Sequence, residues 1–368
     1  MGPNYYILAI NPGSISTKIA VYKNDEQLFV ESIYHSDQDI AKFDRVWDQY
    51  TFRKREILDF LHEKNFDLGQ LACTVGRGGL FRPVISGAYA INRVMLGDAR
   101  NAVQGEHASN LGCVLSYGIA WDYHIPSYIV DPPCADELQD VARLSGHREI
   151  KKRSLFHVLN IKAKARAAAA ELGKPLNDMN LIVIHLGGGI SVIAMQKGRI
   201  VDGNNALCTG PFTPERTGNL PVIDFIDYIF DKKIERRDAK KMVVGKGGMY
   251  SYLGTKSLIE AGQKYKEGDP KAQLVIRAMG YQVAKEIGTM AVVLKGDIDA
   301  IVLTGGAANS DILVDYIKDH ISFLSRQILV LPGEEEMKAL AHGALRILRG
   351  DEEALTYPQQ IEWNNPFQ

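Results

Sequence analysis

The segment INPGSISTKIAVYK, residues 10–23, places a turn rich in glycine and serine between two runs of apolar residues that favour strands. The preceding residues YYILAI and the later residues LFVESIY are also strand-like, and Asn24-Asp25 separates the second run from the third. Asn and Asp are frequent in the tight turns of hairpins. The first 34 residues therefore predict an antiparallel meander of three strands. Glycine in the first turn lets backbone N–H groups approach an anion such as a phosphate closely.

The same pattern recurs in the second half of the chain. Residues 181–203, LIVIHLGGGISVIAMQKGRIVDG, again predict strand, glycine-rich turn, strand, tight turn and strand, with His185 where Asn11 stood. Residue identity between the copies is weak, but the shared order is typical of an internal duplication, and a chance pair of meanders is the alternative. A length of 368 residues also favours two lobes, since single cores stop growing at roughly 250–300 residues.

Helices and further strands follow each meander. The apolar spacing over residues 37–64 is helical, and ACTVGRGG then predicts a strand that ends in glycines. SYIVD predicts a short strand that ends at Asp131, and IKAKARAAAAELGKP is strongly helical. In the second half, AIVLTGGAANS predicts a buried strand that runs through Gly305-Gly306 toward a helix. The pattern favours lobes of the α/β class.

Composition limits the classes of partner. The chain is 46% hydrophobic and 24% charged with a formal net charge of -1, so it has no bulk attraction for nucleic acid or an acidic membrane. Its four cysteines form no C-x-x-C pair, as expected of reduced cysteines in the cytosol. The start MGPNYYILAI lacks a signal-peptide pattern, and no apolar run approaches the roughly 18 residues of a membrane span. We therefore predict a cytoplasmic protein without nucleic-acid or membrane partners.

Three glycine-rich turns, NPGSIS, HLGGGIS and LTGGAANS, each follow a strand of buried character. One such turn is as often a plain tight turn as a ligand site, but three in one chain favour a nucleotide-binding site. The sequence contains no G-x-x-x-x-G-K-[ST], no G-x-S-x-G and no H-E-x-x-H motif. This disfavours P-loop, serine-hydrolase and zinc-protease chemistry.

Two arginines lie on loops next to predicted strands. Arg77 follows a strand and precedes two glycines, and Arg216 lies in FTPERTGNLP. A planar guanidinium can contact two oxygens at once, which suits the spread charge of a transferring phosphoryl group. For either arginine alone, an exposed loop side chain is the plainer interpretation.

Carboxylates and histidines add further candidates. Asp131 and one of the glutamates 334–336 could hold Mg²⁺, although an acidic run also complements the N-terminus of a helix. His107, His157 and His185 lack metal-ligand spacing. They are either satisfied core residues or donors of hydrogen bonds to phosphate or carboxylate oxygens.

The sequence resembles the acetate and butyrate kinases, most closely the butyrate kinases, within the actin, hexokinase and Hsp70-like superfamily. Nine short motifs occur in the family's order: NPGSISTK, GRGG, GEHASN, VDPP, FH, HLGGGIS, ERTG, LTGGAANS and PGEEEM. The resemblance implies two duplicated ribonuclease-H-like (actin-like ATPase) domains of the α/β class, each a mixed five-stranded sheet with helices on both faces. It implies an N-terminal lobe of residues 1–157 with a C-terminal helix at about 343–368, and a second lobe, 158–342, with the nucleotide pocket and a dimer surface.

The resemblance also implies functional residues, position by position. The implied catalytic residues are Asn11, Arg77, Asp131, His157 and Arg216. The implied nucleotide-binding residues are Ser14, Ser16, Lys18, His185, Gly187, Gly188, Gly189, Gly305, Gly306 and Ala307. The implied substrate contacts are Arg77, Gly79, His107, Phe156 and Pro211, and the implied Mg²⁺ ligands are Asp131 and Glu335, with the register among 334–336 left open. Asn11 and His185 are expected to face each other across one cleft.

The implied activity is a reversible phosphorylation of a short-chain carboxylic acid by ATP with Mg²⁺, which gives an acyl phosphate and ADP by direct in-line transfer. Acetate kinases carry bulky residues after the first arginine, whereas Gly78 and Gly79 follow Arg77 here. Their lack of side chains should enlarge the acyl pocket, where each buried methylene contributes about 0.8 kcal/mol. We therefore expect butyrate or isobutyrate as the acid. The resemblance also implies a homodimer, and the sequence does not decide between a dimer and a higher assembly.

Three alternatives remain open. The first is an acetate or propionate kinase, which differs only in the acid. The second is another kinase of the superfamily that phosphorylates a hydroxyl group, with Asp131 as its base, although twin arginines suit a carboxylate better. The third is a non-catalytic nucleotide-binding module, but the sequence shows no obvious partner-binding appendage.

Overall fold

The computed structural model describes residues 3–358, which divide into two compact units. Unit 1 comprises residues 3–136 and 335–358, and unit 2 comprises residues 137–334. Residues 137–157 fall in unit 2, where the N–H of Gln139 donates to Val201 O at 3.0 Å. The boundaries of these two units differ from those of the predicted domains, 1–157 and 158–342. The units are defined by contacts alone, so the predicted domain bounds stay a prediction.

Unit 1 contains a mixed six-stranded sheet with the order β3-β2-β1-β4-β6-β5. Strands β1 to β3 form the predicted antiparallel meander, and β1, β4 and β6 run parallel. The strands are β1 Tyr6–Pro12, β2 Ser16–Lys23, β3 Glu26–Tyr34, β4 Leu71–Arg77, β5 Ala88–Ala90 and β6 Ser127–Val130. The helices are α1 Asp37–Ile40, α2 Tyr50–Glu63, α3 Arg93–Arg100 and α4 Asn110–Tyr123. The short strand β5 adds a sixth strand to the predicted five.

Unit 2 contains a five-stranded sheet with the order β11-β10-β7-β8-β9. Its helices are α5 Asp140–Arg143, α6 Val158–Glu171, α7 Val222–Asp231, α8 Arg236–Val243, α9 Gly248–Leu253, α10 Leu258–Lys266, α11 Pro270–Val293 and α12 Asp311–Ile321. Its strands are β7 Asn180–Leu186, β8 Ile190–Gln196, β9 Arg199–Gly203, β10 Ala300–Gly305 and β11 Ile328–Pro332. Strands β7 to β9 are antiparallel, and β7, β10 and β11 are parallel.

The two sheets share one topology. Strands β3-β2-β1-β4-β6 of unit 1 and β9-β8-β7-β10-β11 of unit 2 have the same order and the same directions. The predicted duplication of the fold is therefore confirmed, even though the copies share little sequence.

Both faces of each sheet are covered by helices. In unit 1, alternate residues such as Leu8 and Ile10 pack in one core with Ile57 of α2 and Leu115 of α4. In unit 2, α11 packs on β7 and β8, and α6 packs on β7 and β10. Asp269 caps α11 by accepting from the N–H groups of Lys271 and Ala272. None of the helices within residues 3–358 is both long and apolar enough to cross a membrane.

The last helix, α13 Glu336–Arg349, packs on β1, β4 and β6 of unit 1. It begins earlier than the predicted helix at about 343–368 and ends where Gly350 adopts φ +78°, so the predicted bounds are wrong. Residues 351–358 continue without a helix, and the OH of the buried Tyr357 donates to Asp98 Oδ2 at 2.7 Å. Residues 359–368 of the predicted helix lie outside the described residues.

Candidate functional site

The carboxyl ends of three parallel strands of unit 1 carry Asn11, Arg77 and Asp131. The strand register places the end of β1 beside that of β4, and the end of β4 beside that of β6. Ligand sites of open α/β sheets lie at this edge. Asp131 is 1% exposed and has φ +41°, a backbone conformation that is uncommon outside glycine and clusters at functional sites. The structure thus brings three predicted catalytic residues of unit 1 to one edge.

Glu336, the first residue of α13, contacts two of these residues. Its Oε1 lies 2.5 Å from Arg77 Nη1, and its Oε2 accepts a hydrogen bond from Asn11 Nδ2 at 2.6 Å. Glu335, the predicted metal ligand, lies 3.4 Å from Lys338 Nζ with about half of its side chain exposed (53%). Glu336 therefore joins the candidate site, although the sequence did not single it out among the three glutamates.

The glycines after Arg77 are packed against the rest of unit 1. A Cβ on Gly78 would lie 2.3 Å from Pro132 Cβ, and a Cβ on Gly79 would lie 2.5 Å from Asn110 Oδ1. Side chains are excluded because the start of α4 and the turn after Asp131 approach the backbone closely. The expectation that these glycines enlarge an acyl pocket is therefore wrong, since the protein itself fills that space.

His107 lies near Arg77. Desolvation of the ring, and then the charge of Arg77, lower the pKa of His107 below its ordinary value. Its Nδ1 lies 2.8 Å from Ser109 Oγ, which fixes the orientation of the ring. The neutral imidazole favoured by this pKa can donate one hydrogen bond and accept one.

The first glycine turn joins β1 to β2. The N–H of Gly13 donates to Ser16 O at 2.7 Å, Ser14 is exposed and Ser16 is half-buried. Lys18 is exposed and lies directly opposite Asn11 in the ladder of β1 and β2. The guanidinium of Arg53 in α2 donates hydrogen bonds to the carbonyl oxygens of Gly13 and Ser14 in this turn. No sequence motif indicated this contact.

In unit 2, His185 occupies in β7 the position that Asn11 occupies in β1, one residue before the end of the strand. Its ring is 2% exposed and stacks on the ring of His157, with the centroids 4.0 Å apart. Nδ1 of His185 lies 3.0 Å from Asn160 Oδ1, and its Nε2 lies 3.2 Å from Glu334 Oε1. Glu334 therefore contacts a residue of the predicted phosphate turn, and Asn160 is a contact that the sequence did not reveal.

His157 is oriented by the neighbouring strand. Its Nδ1 lies 2.9 Å from Ser191 Oγ, and Ser191 of β8 is paired with His185 of β7. The two predicted histidines are thus positioned by one pair of strands. Ser191 stands in the motif HLGGGIS, but the sequence gave no reason to choose it.

Arg216 and His157 meet at the second glycine turn. A Cβ on Gly189 would lie 2.3 Å from Arg216 Nη1 and 3.1 Å from His157 Cε1, so glycine is required here. Nη1 of Arg216 donates to Ala206 O at 2.7 Å, while its buried Nε has no hydrogen-bond partner among residues 3–358. Burial lowers the pKa of Arg216, and Glu215 opposes this shift. The guanidinium stays charged at neutral pH because an arginine pKa lies far above 7.

The loop of Arg216 is tied to the same turn. Thr213 Oγ1 donates to Gly188 O at 2.6 Å and accepts from the N–H of Arg216 at 3.0 Å. Arg216 is therefore linked to the turn at residues 187–189 by the hydroxyl of Thr213 as well as by packing. The predicted residues His157, Arg216 and Gly189 form one cluster in unit 2.

The remaining predicted residues of unit 2 are spread around this sheet. Gly305 ends β10 with φ +88°, and Gly306 and Ala307 begin a short 3₁₀ helix. Phe156 and Pro211 are buried: a Cβ on Gly203 would lie 3.2 Å from Phe156, and one on Gly218 would lie 2.6 Å from Pro211 O. Whether these residues contact a nucleotide or an acyl chain stays a prediction. The predicted approach of Asn11 to His185 concerns two different units and also stays a prediction.

The candidate Mg²⁺ ligands are carboxylates of unit 1. Within residues 3–358 no group of three His, Cys, Asp or Glu side chains is arranged to hold a metal ion. Mg²⁺ is usually bound by only one or two carboxylates together with waters and substrate phosphates. The oxygen donors of Asp131 and Glu336 fit this chemistry, since both residues belong to the edge that carries Arg77.

Comparison with known proteins agrees with this fold. Residues 147–331, which make up half of the chain, match the model of the Acetokinase family. An acetate kinase from Porphyromonas gingivalis is similar in structure, with a TM-score of 0.78 at 15% identity over 94% of this chain and 100% of the other. A propionate kinase from Francisella tularensis subsp. tularensis gives 0.72 at 20% identity over 92% and 98%. An acetate kinase from Entamoeba histolytica gives 0.74 at 17% identity over 93% and 99%.

The two units repeat one α/β plan, with glycine-rich turns at equivalent strand ends, and this is the actin-like fold. The chain belongs to the Acetokinase family. The family indicates an ATP-dependent kinase that phosphorylates a short-chain carboxylate. The structural matches are below 25% identity and therefore support the fold alone.

Proposed function

We propose that this kinase converts butyrate or isobutyrate and ATP to the acyl phosphate and ADP, reversibly and by direct in-line transfer. The observation that carries the proposal is the meeting of Arg216 and His157 at Gly189 in a chain of the Acetokinase family. A half-buried cationic fork beside a histidine provides donors for the equatorial oxygens of a transferring phosphoryl group.

In the proposed reaction, a carboxylate oxygen attacks the γ-phosphorus while the bond to the ADP oxygen breaks. Arg216 and His157 donate to the equatorial oxygens, and Arg77 binds the substrate carboxylate. Arg77 already contacts a carboxylate of its own chain, Glu336, at 2.5 Å. The turn at Ser14 and Ser16 and the turn at residues 187–189 bind the phosphates of the nucleotide. No covalent enzyme intermediate is needed, because positioning and charge stabilisation supply most of the catalysis.

The proposed metal is Mg²⁺, held by Asp131 and by Glu336 or Glu335. When bound, Mg²⁺ neutralises charge on the β- and γ-phosphates. Asp131 is suited to this role because its carboxylate is buried at the edge that carries Arg77, in the left-handed backbone conformation with φ +41°. Arg77 and Asn11 hold Glu336 at the same edge.

The four-carbon acid is proposed from the resemblance to butyrate kinases. Acetate or propionate is the second candidate, because Pro132 and Asn110 fill the space beside Gly78 and Gly79 that a longer acid was expected to use. A hydroxylamine trap for acyl phosphate across acids of two to six carbons with Mg-ATP separates these candidates. We expect kcat/KM to rise about fourfold per methylene from acetate to butyrate, from about 0.8 kcal/mol per buried CH₂. A maximum at two or three carbons would establish the second candidate, and no product with any acid would overturn carboxylate phosphorylation.

We also propose a homodimer formed through α7 and α8 of unit 2. Helix α7 buries none of its residues within its own chain, and Ile223 and Phe230 are 75% and 77% exposed. Beside them lies an apolar groove of about 530 Å³ lined by residues such as Ile226 and Ile234. Large exposed apolar patches mark interaction sites. The charges of this surface are complementary to those of a second copy, because α7 of one copy is acidic and α8 of the other is basic. The acidic residues of α7 are Asp224, Asp227 and Asp231, and the basic residues of α8 are Arg236, Arg237, Lys240 and Lys241.

The dimer proposal predicts that Phe230→Glu yields a monomer, because the buried carboxylate of the variant would lose its hydration at the interface. Light scattering after size exclusion should give a dimer for the wild type and a monomer for the variant. Phe323→Glu is the matched control, since Phe323 is 81% exposed and lies outside α7 and α8. A monomeric wild type, or a Phe230→Glu variant that stays dimeric, would contradict the proposal.

A further inference from the structure

Arg53 of α2 lies directly beneath the first glycine turn. It is 1% exposed, and its guanidinium donates to three carbonyl oxygens of the turn: Gly13 O at 2.8 Å, Ser16 O at 3.0 Å and Ser14 O at 3.0 Å. The two remaining donors, on Nε and Nη2, bind Gln49 Oε1 at 3.0 and 2.8 Å, and Nη1 also shares a hydrogen bond with Thr17 Oγ1 at 3.1 Å. All five N–H groups of this fork are used on one short turn and its supporting helix.

The charge of Arg53 is not neutralised by a carboxylate. No ion pair joins Arg53 to an Asp or Glu within the described part of the chain, and all of its hydrogen-bond acceptors are neutral oxygens. The nearby His35, whose Nε2 lies 2.9 Å from Thr17 Oγ1, adds no second positive charge. Burial, and then the charge of Arg53, lower the pKa of His35 to about 4, so it is neutral near pH 7. A buried cation without an acidic partner is costly, and an anion bound nearby would relieve that cost.

The hydrogen bonds of Arg53 also decide which way the turn's amides point. In a trans peptide the C=O and the following N–H point in opposite directions. Because the carbonyls of Gly13 and Ser14 point at Arg53, the N–H groups of Ser14 and Ile15 point away from it. Within residues 3–358 neither N–H has a hydrogen-bond partner, and Ile15 is 55% exposed. Adjacent outward N–H groups with a positive charge behind them form an anion-binding nest.

We propose that Arg53 is the positioning residue of the first phosphate turn. It orients the N–H groups of Ser14 and Ile15 toward a nucleotide phosphate, and its charge attracts that phosphate through the turn without touching it. This inference rests on the proposed function only in taking a nucleotide phosphate as the anion. Phosphate binding at this turn would therefore depend on Arg53, which lies 40 positions from Gly13 in the sequence.

The test is the affinity of the protein for ADP relative to adenosine, measured by calorimetry on the full chain. Arg53→Met removes the charge and the fork, and Arg53→Lys keeps the charge but loses the fork. We expect Arg53→Met to weaken ADP binding at least tenfold and Arg53→Lys to weaken it less, with adenosine binding unchanged in both. A general loss of structure would weaken both ligands alike. Arg55→Met is the matched control, because Arg55 lies on the same helix and its side chain is 66% exposed.

An unchanged ratio of ADP to adenosine affinity in both Arg53 variants would overturn the inference. If circular dichroism shows that Arg53→Met does not fold, Arg53→Lys alone decides. Failure of the proposed function is distinguishable, since ADP binding needs no acyl transfer. A chain that makes no acyl phosphate but loses ADP affinity in the variants keeps the inference, whereas a wild type that binds no ADP overturns both.

Discussion

Replacing Arg216 with alanine is expected to lower kcat for acyl phosphate formation by about 10³-fold or more, the range of arginine contributions to phosphoryl transfer. The guanidinium lies at the second glycine turn beside His157, where it can contact a transferring phosphoryl group. Stability should change little, because within the described part of the chain the side chain makes one hydrogen bond, to Ala206 O at 2.7 Å, and no ion pair with a carboxylate. Turnover in the hydroxylamine assay and the midpoint of thermal unfolding together check this expectation.

Two further variants sharpen the test of Arg216. Arg216→Lys keeps a positive charge but loses the planar fork, so it should recover only part of the lost turnover. Arg148→Ala removes an arginine of unit 2 whose side chain is 74% exposed and should leave kcat unchanged. Near-normal turnover in Arg216→Ala would remove Arg216 from the transition state and leave the proposed mechanism without its main electrostatic donor.

The sequence predicted the parts of the fold that depend on local pattern. The continuous apolar run that includes Leu8 and Ile10 predicted a strand, and the structure buries consecutive residues of this run on both faces of the sheet. The glycine turns identified strand ends, and their recurrence identified the duplication. Arg77 and Asp131 were predicted because each ends a strand of buried character, at the edge where ligands bind. Arg216 was predicted from its loop of prolines and glycines, and the roles of all three residues stay a prediction.

Residues that act through distant contacts were not predictable. Arg53 reaches the first turn from a helix 40 positions away in the sequence, and Asn160 reaches His185 across 25 positions. Helical periodicity predicts which face of a helix is buried, but not which turn a side chain on that face will contact. The choice of Glu336 over its neighbours likewise depends on the angle at which α13 begins, since adjacent helical residues point about 100° apart.

The role of a glycine in a motif cannot be predicted without knowing what packs against it. Gly78 and Gly79 suggested an open pocket, yet their missing side chains admit Pro132 and Asn110. A glycine at such a position indicates only that some other atom lies close to its backbone. Whether this is a substrate, the backbone of the same chain or a neighbouring side chain depends on tertiary structure.

Gly189→Ala is expected to lower kcat by about 10²-fold, the typical cost of moving a catalytic group by about 1 Å. The new methyl group would lie 2.3 Å from Arg216 Nη1 and 2.8 Å from its Cζ, so the guanidinium must shift. Gly188→Ala is the matched comparison in the same turn. Its methyl group would lie 3.5 Å from Glu215 Oε1, an ordinary contact, so its effect should be much smaller.

The double variant Gly189→Ala with Arg216→Ala identifies the cause. If the methyl group acts by displacing Arg216, it should cost little more once that side chain is gone, because two changes that act through one contact are not additive. Steady-state kcat for the wild type, both single variants and the double variant completes the cycle. Fully multiplicative losses would instead mean that the methyl group acts apart from Arg216, either on His157, whose Cε1 would lie 3.1 Å away, or on the access of the nucleotide to the backbone of the turn.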